Sequence, residues 1–195
     1  MKAKRFSFAI TLVFGMLCIT SAAFAEWLRA NLDTVHSRVG FTASTLLFDV
    51  DGHFKDYKVF IDGDPKQPET LKIKAEISAN SIDTDNTKRD DHLKSPDFLD
   101  VAKYPTIRFE STKVEQQGRT LTVTGKLDLH GKQQSVTIPF KIAQGKNGAG
   151  VDTVAYKGKL TLDRTSYGIG SDSVAAKISL EKEVELDLLI VTFPK

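Results

Sequence analysis

The run Ile178-Ser179-Leu180-Glu181-Lys182-Glu183-Val184-Glu185-Leu186-Asp187-Leu188-Leu189-Ile190 decides the fold. Ile178, Leu180, Val184, Leu186, Leu188 and Ile190 share one parity, while Ser179, Glu181, Glu183, Glu185 and Asp187 share the other. Successive side chains of a strand point to opposite faces, so this period of two makes one face dry and one wet. Upstream, Leu71, Ile73, Ala75, Ile77 and Ala79 alternate with polar residues in the same way. So do Leu121, Val123, Gly125, Leu127 and Leu129, then Val136, Ile138, Phe140 and Ile142, then Tyr156, Gly158, Leu160 and Leu162. One-sided strands of this kind belong to antiparallel sheets.

Turn signals separate the runs: Asp51-Gly52, Asp62-Gly63-Asp64-Pro65, Gln117-Gly118, His130-Gly131, and the glycine-rich stretches 145–150 and 168–170. With Arg38–Phe48 and His53–Ile61 added, about eight strands are expected in an all-β meander. No linker, repeat or low-complexity block interrupts residues 26–195, which read as a single domain. A meander with one dry face either closes into a barrel or folds into a sandwich. A strand as long as Ile178–Val191 is hard to leave as an exposed edge, which favours an antiparallel barrel. A barrel of roughly eight strands is either filled by side chains or holds one small ligand, and the pattern leaves both open.

One segment breaks the β pattern. Ser81–Thr112 carries the single clear helix signal of the mature chain, a short insertion around residues 86–100. Asn86 or Thr87 is suited to cap its start, and Thr87 with Asp90 has capping-box spacing. Leu93, Phe98 and Leu99 give it an apolar side, and Tyr104-Pro105 returns the chain to extended structure.

The N-terminus reads as a secretory leader. Lys2, Lys4 and Arg5 precede the apolar run Phe6 to Ile19, and Ala23-Phe24-Ala25 is a small-x-small cleavage site, which assigns residues 1–25 to a signal peptide. The apolar run is short for a bilayer span. Leu17 occupies the place where lipid attachment to Cys18 calls for a small residue. Cys18 is the one cysteine and leaves with the leader, so no disulfide staples the mature protein. Cleavage removes three basic residues, and 27 basic against 25 acidic becomes 24 against 25, a net of −1. Such a balance argues against nucleic acid and anionic membrane as partners. The mature chain contains no second apolar run of spanning length and is expected to be soluble.

Catalytic patterns are missing. There is no Gly-x-Ser-x-Gly elbow, and a cysteine-free mature chain excludes a Cys–His pair. His36, His53, His92 and His130 lack metal-ligand spacing, so no metal or other cofactor is expected. Asp83, Asp85, Asp90 and Asp91 lack the spacing and terminal Glu of a calcium loop. An enzyme is therefore not the expectation.

The residues also carry a family resemblance. Its densest part is Ser81-Ile82-Asp83-Thr84, Asn86, Arg89-Asp90, His92-Leu93-Lys94-Ser95 and Asp97-Phe98-Leu99-Asp100, followed by Tyr104-Pro105, Ile107, Phe109 and Ser111-Thr112. Leu32-Asp33, Val35-His36-Ser37, Phe41 and Gly52-His53-Phe54 precede it. Val123 to Leu127, Leu129-His130-Gly131, and Arg164 with Tyr167-Gly168-Ile169-Gly170 follow it. Together they resemble the YceI-like family of secreted, lipocalin-like polyisoprenoid-binding proteins. The resemblance implies an eight-stranded antiparallel lipocalin-like barrel with an elongated apolar pore for a long isoprenoid or similar amphiphile. One departure stands out: many members place His-Leu-Gly a few residues after the position of Phe41, where this chain has Thr45-Leu46-Leu47. A head-group contact from that histidine is therefore absent.

The expected function is a periplasmic binding or carrier protein for a long-chain isoprenoid or fatty-acyl lipid. Candidate pore residues are Phe41, Phe48, Phe54, Phe60, Phe98, Phe109, Phe140 and Tyr156, whose competing role is plain core packing. Arg89, His92 and Arg164 are candidates for a polar head group, against a structural role in bracing the helix and the late loop. The alternative is a filled-core barrel that serves as an interaction module for another cell-envelope protein. A third reading, a hydrolase or isomerase of the bound lipid, requires a carboxylate or histidine facing the pore. A membrane donor or acceptor protein and a homodimer are further partners that the sequence leaves open.

Overall fold

A computed structural model describes residues 31–64 and 67–193; the leader reading for residues 1–25 lies outside them. Eleven strands among the described residues form one antiparallel sheet: β1 (Asn31–Leu32), β2 (Arg38–Thr45), β3 (Asp49–Phe54), β4 (Tyr57–Asp62), β5 (Lys72–Ser78), β6 (Ile82–Asp83), β7 (Thr106–Gln117), β8 (Thr120–Leu129), β9 (Lys132–Lys146), β10 (Asp152–Asp163) and β11 (Leu180–Phe193). Among the described residues two α-helices, α1 (Thr87–Lys94) and α2 (Val174–Ser179), interrupt the strands. The pairing path runs β4-β5-β7-β8-β9-β10-β11-β2-β3-β6, with β1 added to β11. The sheet curls round an apolar interior. Short turns connect β2 to β3, β7 to β8, β8 to β9 and β9 to β10, whereas residues 164–179 between β10 and β11 carry α2.

The all-β reading holds, and the count of eight strands is corrected to eleven. The expected strand His53–Ile61 breaks at Lys55-Asp56, where β3 leaves its partners β2 and β6 and β4 takes up β5. β1 and β6 span two residues each, too short to show a period. The wall is joined where β5 passes through a 3-10 turn, Ala79–Ser81, into β6, which pairs with β3. Among the described residues β4 pairs with β5 alone, so the wall curls over as a half-barrel instead of closing at every level.

The deciding run also needs a correction at its start. Ile178 belongs to α2 and is exposed; β11 begins at Leu180. Ser173 caps α2 by accepting from the Ala176 amide. The β11 ladder on β2 then slips between Leu180 and Val184, where four steps on β11 match two on β2. Because the excess is an even number of residues, Leu180 and Val184 stay on the inner face, and the alternation survives the bulge.

α1 is shorter than the 86–100 insertion, which continues as turns from Ser95 to the residues before β7. Asn86 is its N-cap, its Oδ1 accepting from the Arg89 amide. Asp90 does not complete a capping box on Thr87. Its Oδ1 accepts from the Thr84 amide at 2.9 Å and the Thr84 hydroxyl at 2.6 Å, pinning the helix to the end of β6. Topology places this segment, the β2–β3 turn, the β8–β9 turn and α2 at one end of the barrel. The β4–β5, β7–β8 and β9–β10 connections sit at the other.

Candidate functional site

The inward parity of the strands encloses a cavity of about 230 Å³ whose exposed wall is wholly apolar. β2 supplies Val39, Phe41 and Ala43; β5 supplies Ile73, Ala75 and Ile77; β8 supplies Val123, Leu127 and Leu129. Val136, Ile138 and Phe140 of β9 continue the wall, with Leu160 and Leu162 of β10 and Leu180, Val184, Leu186, Leu188 and Ile190 of β11. Each set shares one parity, so the alternation seen in the sequence is what makes the wall. A second space of about 50 Å³ lies toward the opposite end and shares Val59, Ile73, Val123, Phe140 and Ile190 with the first.

Five of the eight expected pore residues, Phe41, Phe54, Phe98, Phe109 and Phe140, line the larger space. Tyr156 lines the smaller one, and burial raises its phenol pKa. Two are placed elsewhere. Phe48 is exposed at the β2–β3 turn, beyond the end of β2. Phe60 has the outward parity of β4, because Val59 and Ile61 take the inner positions. With β4 starting afresh at Tyr57, the parity of His53–Ile61 could not be read as one strand.

Three of the phenyl rings rest on glycine. A Cβ on Gly52 would stand 2.3 Å from Phe41 Cζ, one on Gly125 2.4 Å from Phe109 Cζ, and one on Gly158 2.6 Å from Phe140 Cδ1. Gly125 and Gly158 were visible on the inner parity of their strands. An inward glycine in a strand signals that another group approaches its backbone closely, and here that group is a ring. The rings take up the space that a side chain at each glycine would fill, and all three also line the cavity.

At the α1 end two distant motifs meet. The Gly170 amide donates to Asp97 O at 3.0 Å, tying the loop after β10 to the turn after α1. Phe98 and Arg164 both crowd Gly170, whose φ of 67° favours glycine. Arg164 is buried against the cavity, yet its guanidinium is committed to backbone. Nε donates to Glu181 O, Nη1 to Ile169 O, and Nη2 to Ala176 O and Leu180 O. Those carbonyls belong to the late loop, α2 and the β11 bulge, where sheet partners are lost. Burial holds the Arg164 pKa below its ordinary value, a pull that Asp163 opposes.

The other two head-group candidates are likewise engaged outside the cavity. Arg89 donates from Nε to Thr84 Oγ1 at 2.8 Å and from Nη2 to Thr84 O at 2.7 Å. Thr84 thus bridges Arg89 and Asp90, a role with no sequence signal beyond its place beside the helix cap. His92 sits edge-on to Phe98, with ring centroids 4.9 Å apart, and its Nε2 is 3.3 Å from Asp97 Oδ2. It backs the Phe98 ring from the water side. Among the described residues, no three His, Cys, Asp or Glu side chains converge as a metal site, and no helix is long and apolar enough to cross a membrane.

A curled antiparallel sheet around an apolar lumen, with a short helical segment over one end, defines the lipocalin-like class. The chain belongs to the YceI-like domain family, which matches residues 31–191. It is 40% identical over 140 residues to a UPF0312 protein of Pseudomonas aeruginosa (strain LESB58), covering 71% of each chain. The crystal structure of Burkholderia cenocepacia BcnA is similar, with a TM-score of 0.74 and 26% identity, covering 83% of this chain and 99% of that one. A polyisoprenoid binding domain from Saccharophagus degradans shares the fold at a TM-score of 0.61 and 17% identity, over 84% of this chain and 97% of that one.

Proposed function

We propose that the protein is a periplasmic binding and carrier protein that holds one long apolar chain, isoprenoid or fatty-acyl, in its lumen. The open, wholly apolar cavity of about 230 Å³ carries this reading. An apolar cavity of about 150 Å³ already stays dry and admits a benzene-sized guest. Each methylene moved from water into such a space gains about 0.8 kcal/mol, so a long chain gains steeply with length. The polyisoprenoid binding domain of similar fold supports the ligand class by analogy of architecture. With no polar atom exposed to the lumen, a head group stays at the mouth and the protein selects for the chain. That arrangement offers no general acid, base or nucleophile to the buried chain, which favours a carrier over an enzyme. An open interior also weighs against the filled-core interaction module. Organic extraction of the folded protein followed by mass spectrometry tests the reading. Extracts without lipid, together with no uptake of a fluorescent fatty acid, would overturn it.

A further inference from the structure

Seven large apolar side chains stand strongly exposed among the described residues, and five of them gather at one place. Leu46, Leu47 and Phe48 form the β2–β3 turn at 74%, 90% and 61% exposure, and Val174 and Ile178 of α2 are at 70% and 71%. The other two, Val35 and Val151, lie in connections at the opposite end. Turn and helix are joined. The Leu46 amide donates to Ser179 O at 3.2 Å, and Thr45 pairs with Leu180 where α2 passes into β11. The patch also adjoins the lumen, since Leu180 and the cross-strand pair Ala43 and Val184, a few residues away along the same strands, belong to the cavity wall.

The shape and charge of this patch select its occupant. A leucine as exposed as Leu47 projects from the tip of a turn, where a flat protein face covers one side and a fluid apolar phase surrounds it. The charges within four residues of the patch in the chain are Lys177 and Lys182 against Asp49, Asp51, Asp172 and Glu181, a net of −2. That small acidic excess gives no attraction to an anionic lipid surface and leaves a zwitterionic one, where burial of the apolar tips carries the binding. We infer that the β2–β3 turn and α2 insert into the outer layer of a zwitterionic lipid bilayer. The insertion sets the neighbouring end of the lumen against the phase in which an apolar chain is dissolved. The inference rests on the lumen reading for its purpose but not for its binding step.

Co-sedimentation with phosphatidylcholine vesicles tests it. The protein is purified from cells expressing the full chain, and its N-terminus is read by mass spectrometry. Binding is expected to be the same at ~0.05 M and ~0.5 M salt, because burial and not charge drives it. The double variant Leu47→Ser, Phe48→Ser should lower partition at least about tenfold, whereas Val35→Ser at the other end changes nothing. The double variant should still take up a fluorescent fatty acid delivered from ethanol, and should take it up slowly from vesicles. No binding by the wild-type protein overturns the inference. So does binding abolished by salt, an equal loss in Val35→Ser, or a tip that captures only a protein. If uptake from ethanol fails while vesicle binding persists, the lumen reading falls and the docking surface stands.

Discussion

The ring of Phe140 lies against its direct cross-strand partner Gly158, so close that a Cβ there would stand 2.6 Å from both Cδ1 and Cε1. Phe140 lines both the larger and the smaller space, as do Val59, Ile73, Val123 and Ile190. Gly158→Ala should push the ring inward, cost about 1–3 kcal/mol of stability, and weaken uptake of a fluorescent fatty acid. Adding Phe140→Leu should restore uptake. Denaturant unfolding and probe titration on the three proteins check this, and unchanged uptake in Gly158→Ala would refute the role of the ring.

Arg164 is expected to act through the backbone it holds. Arg164→Lys leaves several of its four carbonyl acceptors unmatched and should destabilise the fold by about 2–4 kcal/mol. Probe affinity per folded molecule should not change. A variant with wild-type stability and lost affinity would instead make Arg164 a ligand contact. Calorimetry paired with probe titration separates the two.

The Thr84–Asp90 pair should be the fastening of α1. Asp90→Ala removes the acceptor of two buried hydrogen bonds and should cost about 1–3 kcal/mol, with Asn86→Ala costing about 1 kcal/mol through the lost cap. Amide exchange should quicken most between residues 84 and 100. Uniform quickening across the sheet would contradict a local fastening.

Stability should fall in acid. The Asp33 carboxyl is held below its ordinary value of 3.8 by the His36 hydrogen bond, Asp83 by Lys55, and Asp163 by the Thr165 hydroxyl. A carboxylate lowered in the folded state contributes stability above its unfolded value and loses it as pH falls through the folded one. The melting temperature should therefore hold between about pH 7 and pH 4 and drop below that. Asp83→Asn should shrink the drop, and melts across this range measure it. A fall already complete at pH 5 would exclude these groups as its cause.

Much of the wall was legible because parity is local. Leu121, Val123, Leu127, Leu160, Leu162, Leu186 and Leu188 were assignable inward from their neighbours alone, and they line the two spaces. Phe60 and Ile178 were misread for a different reason. A break at Lys55-Asp56 resets parity, and a capped turn of helix converts the start of a strand, and neither leaves a trace in hydropathy.

The sequence by itself determined the class of fold, the inner face of each long strand, and the position of the helical segment, since period two and capping residues act within a few positions. Whether the interior is filled or open was decided by tertiary structure. That outcome depends on rings of one strand settling on glycines of the next, as Phe140 does on Gly158 and Phe109 on Gly125. It was also tertiary structure that committed the Arg164 guanidinium to backbone although the side chain lines the lumen, because its four acceptors come from the late loop, α2 and the β11 bulge, brought together only when the sheet curls. Spacing along a chain encodes which face a side chain takes; what it meets there depends on residues far away in sequence.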